Sequence, residues 1–103
     1  MSIMIGSEPL YDFQKELIHG IFHTKLSHWY GHTERAILAG WGRDDMTFYC
    51  YPNYGITELI DNEGNEIKED DFNGEIIGTG LFNYVMPLIR YRTGDYSVWA
   101  NKQ

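Results

Sequence analysis

The chain is short of cysteine, of basic residues and of long apolar runs, and each shortage closes off a class of protein. One cysteine, Cys50, in 103 residues permits no internal disulfide and no cysteine-based zinc site. Its place in an apolar, aromatic run predicts a buried, inert thiol. Eight Lys and Arg stand against fifteen Asp and Glu, for a net charge of −7. That excess excludes a general nucleic-acid binder, because phosphate-backbone affinity comes from Lys and Arg displacing counterions. A nucleotide site stays open, since backbone N–H groups and a divalent cation can hold phosphates. No segment approaches the ~20 apolar residues of a membrane span. Residues 1–5 are apolar but lack a basic leader, so the expectation is a cytoplasmic chain with no membrane partner. No internal repeat or low-complexity tract is visible.

Aromatic residues are abundant instead, at 16%, which points to an ordered fold rather than a disordered chain. The length suits one domain or less. Residues 1–5 read as a strand. Ser7 suits a helix N-cap, with Glu8 and Pro9 in the first turn. Leu10, Phe13, Leu17, Ile18, Ile21 and Phe22 recur at helical spacing and predict a helix ending near His23. The pattern then changes to short strands: 26–30 with Gly31 as breaker, 36–39 closed by Gly40, 46–51, 54–60, 75–79, 88–91 and 96–99. Turns are expected at 52–53, 61–65 and 93–95, and 69–71 is a solvated acidic loop. The predicted class is α+β: one N-terminal helix with a mainly antiparallel, barrel-like sheet. A composition seam at 40–45 divides residues 1–40, the end of an α/β layer, from 41–103, the small barrel.

Three constellations carry possible chemistry. In Tyr30-Gly31-His32-Thr33-Glu34, glycine at a strand end lets the chain turn sharply and present backbone and hydroxyl to a ligand. A Thr hydroxyl can donate to phosphate, a Glu can hold magnesium, and a Tyr ring offers a flat face to a purine. The plainer alternative is a strand end with a solvated Glu and a buried Tyr. In Thr93-Gly94-Asp95, the carboxylate can accept two hydrogen bonds from a ribose diol, or the three residues form an ordinary β-turn. Gly6-Ser7-Glu8 opens onto a helix N-terminus that could approach a nucleotide, as any capped helix could. His19 and His23 are four apart but lack a third ligand, and residues 61–66 fail the EF-hand pattern because Glu66 stands where glycine is required. Ser27, Ser97 and Cys50 show no nucleophile elbow or paired base.

Taken in order, Gly6-Ser7-Glu8-Pro9, Tyr30 to Glu34, Gly74-Glu75-Ile76 with Gly80, and Tyr91 to Asp95 resemble four motifs of the adenylate-forming (AMP-binding) enzymes. Residues 30–35, 52–59, 79–81 and 86–95 look like the phenylacetate–CoA ligase branch, including its capsular polysaccharide biosynthesis proteins. The resemblance implies that Tyr30, presented by Gly31, stacks on adenine, with Gly6, Ser7 and Glu8 as part of the adenine wall. It implies that Thr33 touches the α-phosphate region, Glu34 binds Mg²⁺, and Asp95 holds the ribose hydroxyls. The implied parent reaction is activation of a small carboxylate by ATP to an acyl adenylate, with transfer to coenzyme A commonly following. His28 departs from the pattern, since related enzymes often carry Asp or Asn there. The phosphate loop and the C-terminal domain of such enzymes have no counterpart in these residues, so the expectation is a partial chain that is inactive alone. The competing expectation is a non-enzymatic β-barrel interaction or assembly module with Trp41, Tyr49 and Tyr51 on a partner surface. Exposed subdomain faces would favour self-association under both.

Overall fold

The computed structural model describes residues 1–42 and 46–100. In chain order it contains β1 (Ser2–Ile5), α1 (Asp12–Phe22), β2 (Lys25–Gly31), β3 (Leu38–Trp41), β4 (Phe48–Cys50), β5 (Gly55–Ile60), β6 (Gly74–Gly80) and β7 (Tyr91–Ser97). The class is α+β, with one helix and mostly antiparallel strands, as the pattern of apolar residues implied. The strands form two open sheets, β1-β2-β3-β4 and β5-β6-β7, and among the described residues neither closes into a barrel. The β1–β2 pair is parallel, joined through α1, and every other pair is antiparallel. Part of the expected seam, residues 43–45, lies outside the described residues. In the chain, the step from one sheet to the other falls between Cys50 and Gly55.

The helix starts later than Ser7. Pro9 pushes Glu8 out of helical backbone, because the proline ring clashes with the preceding residue in that conformation. Ser7 itself has φ 73°, and Tyr11 is the N-cap, its N–H donating to the Gln14 side chain at 3.1 Å. Gly6, Ser7 and Glu8 therefore do not sit at the helix N-terminus, and the argument from free N–H groups does not apply to them. The far end is as expected: His23 caps the helix in the left-handed region, and its N–H bonds the His19 carbonyl at 2.9 Å.

Two further strand expectations are corrected. Residues 88–90 are irregular, with the Arg90 N–H donating to Thr79 Oγ1 at 2.9 Å. Thr93, Gly94 and Asp95 are not a turn ahead of a strand; they lie inside β7. Between Glu75 and Ile77 the register slips, so that a longer stretch of β7 opposes a shorter stretch of β6. Gly94 takes φ 77° there, the left-handed residue typical of such bulges. Side chains close the gap. Thr93 Oγ1 donates to the Ile76 carbonyl at 2.8 Å, and the Gly94 N–H donates to Glu75 Oε1 at 3.2 Å. The bulge is what turns Asp95 out of the ladder.

The core is small. Ala36, Ile37 and Ala39 are buried on one side, and Leu59, Ile60, Ile67 and Ile77 on the other. Glycines bring the two together. A Cβ on Gly78 would meet Ile37 Cγ1 at 2.6 Å, and one on Gly55 would meet the Ala36 carbonyl oxygen at 2.0 Å. The strip 35–37 thus seats in a trough on β5 and β6 that only glycine leaves open. Because that strip directly follows Glu34, its seating fixes where the first motif lies relative to β7.

Candidate functional site

Tyr30 and Asp95 are 65 residues apart in sequence, and the Tyr30 hydroxyl donates to Asp95 Oδ2 at 2.7 Å. Tyr91 and Glu34 are 57 apart, and the Tyr91 hydroxyl donates to Glu34 Oε1 at 3.2 Å. The two motifs are therefore cross-linked reciprocally, each supplying a tyrosine to the other's carboxylate. His32 sits within the joint. Its ring meets Tyr30 edge-on at 6.2 Å and Tyr91 at 6.0 Å, and its Nδ1 lies 3.3 Å from Glu34 Oε2.

Local backbone explains the placement. Tyr30 and Gly31 end β2, and the Arg35 N–H bonds the His32 carbonyl at 3.1 Å, closing a tight turn with Thr33 and Glu34 at its tip. Arg35 leaves that turn with φ 57°. Thr33 is exposed, and Glu34 is partly so.

The electrostatics favour holding over reacting. Removal from water, then the bond to Asp95, pushes the Tyr30 hydroxyl far above its ordinary range, so it stays a donor. Glu34 is held below the usual carboxylate range, first by its own backbone N–H and then by Tyr91. The Tyr91 hydroxyl is correspondingly raised by Glu34. Glu75, buried under the bulge, is lowered chiefly by its hydrogen-bonded ion pair with Arg92.

A cavity of about 610 Å³ opens between the sheets. Ser7, Glu8, Tyr30, Gly31 and Asp95 border it, over an apolar floor that includes Ile37 and Leu59. Its volume lies within the range of small-molecule sites. Gly6, Thr33 and Glu34 do not border it. Gly6 instead packs under the Trp29 indole, whose other end covers Gly31. Sequence reasoning passed over Trp29, and it gave no role to His32 and Tyr91, although both stand inside the motifs it singled out. Alternation along a strand puts Trp29 and Gly31 on one face, and likewise Tyr91 and Thr93, a signal that was available. His28 is buried with its ring against Trp41 and Phe48, centroids 5.1 Å from each, and its Nδ1 has no partner among the described residues. Cys50 is exposed, contrary to expectation, because β4 is an edge strand of three exposed residues.

Among the described residues, no group of three or more His, Cys, Asp or Glu side chains could enclose a metal ion. Glu34 nonetheless fits the lesser demand of magnesium, which often takes one or two carboxylates and completes its shell with water and phosphate. An ionised carboxylate offers about four lone-pair positions, so Tyr91 does not exhaust it. No family model matches the chain, and no curated protein matches it. Among the described residues no helix is long and apolar enough to cross a membrane.

Proposed function

We propose that this chain is the nucleotide-binding half-site of an acyl-adenylate-forming, acid–CoA ligase-like enzyme, and that it is catalytically silent alone. The observation that carries the reading is the Tyr30–Asp95 hydrogen bond, which brings one residue of each motif to the rim of one cavity, while the Tyr91–Glu34 bond braces the joint outside it. In this reading Asp95 keeps Tyr30 on one oxygen and offers the other to the ribose diol of AMP or ATP. Ser7 and Glu8 flank the base, and Tyr30 limits its position. Mg²⁺ at Glu34, which would supply charge neutralisation when bound, enters only through the family resemblance, since Glu34 lies outside the cavity that Tyr30 and Asp95 border. The small carboxylate and coenzyme A enter only through the family resemblance, as does a role in capsular polysaccharide synthesis. In-line attack on the α-phosphorus depends on positioning groups that these residues do not supply, so the chain binds without turnover.

The test is an NMR titration with AMP and with ATP plus Mg²⁺, repeated on Asp95→Ala. Shifts at Tyr30, Ser7 and Asp95 that disappear in the variant are the expected result. A folded chain that shows no shift at millimolar nucleotide, or that forms acyl-AMP unaided, contradicts the reading. A non-enzymatic interaction module is the second reading. It is favoured by α1, none of whose residues is buried.

A further inference from the structure

We propose that the cavity between the sheets selects the uncharged nucleoside part of a nucleotide, and that each phosphate added to the ligand weakens its binding there. This rests on the nucleotide-binding reading and names what that site recognises.

Among the described residues that border the cavity none is Lys or Arg, whereas Glu8 and Asp95 are carboxylates. The two arginines nearest Asp95 in sequence are engaged elsewhere. Arg92 bonds Glu75, and Arg90 Nε lies 3.3 Å from Glu58 Oε2. The chain as a whole carries −7. An ionised carboxylate accepts hydrogen bonds and donates none. Phosphate oxygens are acceptors too, and a phosphate monoester carries about −1.5 to −2 near neutral pH. Such groups have no hydrogen bond to exchange with a carboxylate, and like charges close together repel. Ribose hydroxyls and the N–H groups of a base are donors, which suit Glu8 and Asp95. Asp95 is already steadied by the Tyr30 hydroxyl on one oxygen, at 2.7 Å, which leaves the other for a second donor.

The interior favours the same part of the ligand. Ile37, Leu59 and Ile76 give it apolar surface, and Phe48 and Trp99 give it aromatic rings. A flat neutral heterocycle gains from burial against such groups, whereas an ion loses its hydration. Two polar atoms of bordering residues have no hydrogen-bond partner among the described residues. They are Nδ1 of His28 on β2, a residue 7% exposed, and Oγ1 of Thr57 on β5. Buried polar atoms are nearly always paired, so one orphan from each sheet at a single cavity points to a ligand that supplies the partners. An imidazole nitrogen and a hydroxyl can each meet a donor or an acceptor. The edge of a nucleobase carries both, and an ionised phosphate carries acceptors alone.

NMR titration with adenosine, AMP and ATP, free of divalent cations, tests this at ~0.1 M and ~1 M salt, where the Debye length falls from about 10 Å to about 3 Å. The expected order is adenosine tightest, then AMP, then ATP, with AMP weaker than adenosine by about fivefold or more at the lower salt. The gap should narrow at the higher salt, and adenosine should shift His28 and Thr57. Glu8→Gln, at an exposed residue, should raise the affinity for AMP relative to adenosine by about twofold or more. Glu63→Gln removes the same charge from a turn that does not border the cavity, and should leave that ratio unchanged. AMP binding as tightly as adenosine overturns the proposal and leaves the nucleotide-binding reading standing. So does a gap that salt does not alter, an adenosine complex that spares His28 and Thr57, or an equal effect of the two variants. If none of the three ligands binds the folded chain at millimolar concentration, the proposal and the reading beneath it both fall.

Discussion

Single side chains set the site, and the Tyr30–Asp95 bond is the most direct test of it. A neutral donor to a carboxylate near the surface is worth about 1 kcal/mol. A double-mutant cycle of Tyr30→Phe and Asp95→Asn in urea should return a coupling of that order. A coupling near zero would mean that the two motifs are neighbours without being joined. Sequence pattern reached Tyr30 and Asp95 because each sits in a short string with a glycine that frees the backbone. It did not reach Trp29, because an aromatic side chain in a strand carries no mark of what it will cover, and it gave His32 no role although the residue stands in the same string as Tyr30. Cys50 illustrates the converse. Its aromatic neighbours suggested burial, yet a residue's exposure depends on whether its strand lies at the edge of a sheet, and that is a property of the pairing.

Among the elements, β6 and β7 show how a polar network replaces a ladder. Glu75 lies under the bulge, with Arg92 and the Gly94 N–H on its oxygens. Folding lowers its pKa, so its stabilisation is fully present above the ordinary glutamate value, about 4.3, and fades as pH falls through the lower folded value. Urea midpoints measured from neutral pH down to acid should therefore drop more steeply for the natural chain than for Glu75→Gln. Equal slopes would show that Glu75 is not a linked group. The strands themselves were largely legible: β2, β5 and β6 fall within a residue or so of the apolar pattern. The bulge was not, because Thr-Gly-Asp has the composition of a turn and only the pairing with β6 reveals a strand that continues past it. The helix start was readable in principle from Pro9, whose effect on Glu8 outweighs the capping preference of Ser7.

At the scale of the molecule, the two sheets meet through glycines more than through bulk. Gly78→Ala would press its new methyl onto Ile37, at a cost of about 1–3 kcal/mol in a urea unfolding curve. Gly55→Ala would press on the Ala36 backbone, which has no side chain to rotate away, and should cost more. If both were tolerated without loss, the trough would not be what locks the strip 35–37. Fold class was visible from the sequence, whereas closure was not: short antiparallel strands permit a barrel equally well, and the choice rests on which edges find partners. The same trough governs how variants will be sorted in a screen. Substitutions at Gly55 or Gly78 touch no ligand, yet they would shift Tyr30 away from Asp95 and register as lost recognition. A map of binding-defective positions would then trace two outlines, one around the cavity and one along this seam. Along the seam, loss at Gly78 would be recovered by a smaller side chain at Ile37, whereas loss at Gly55, which meets backbone, would not.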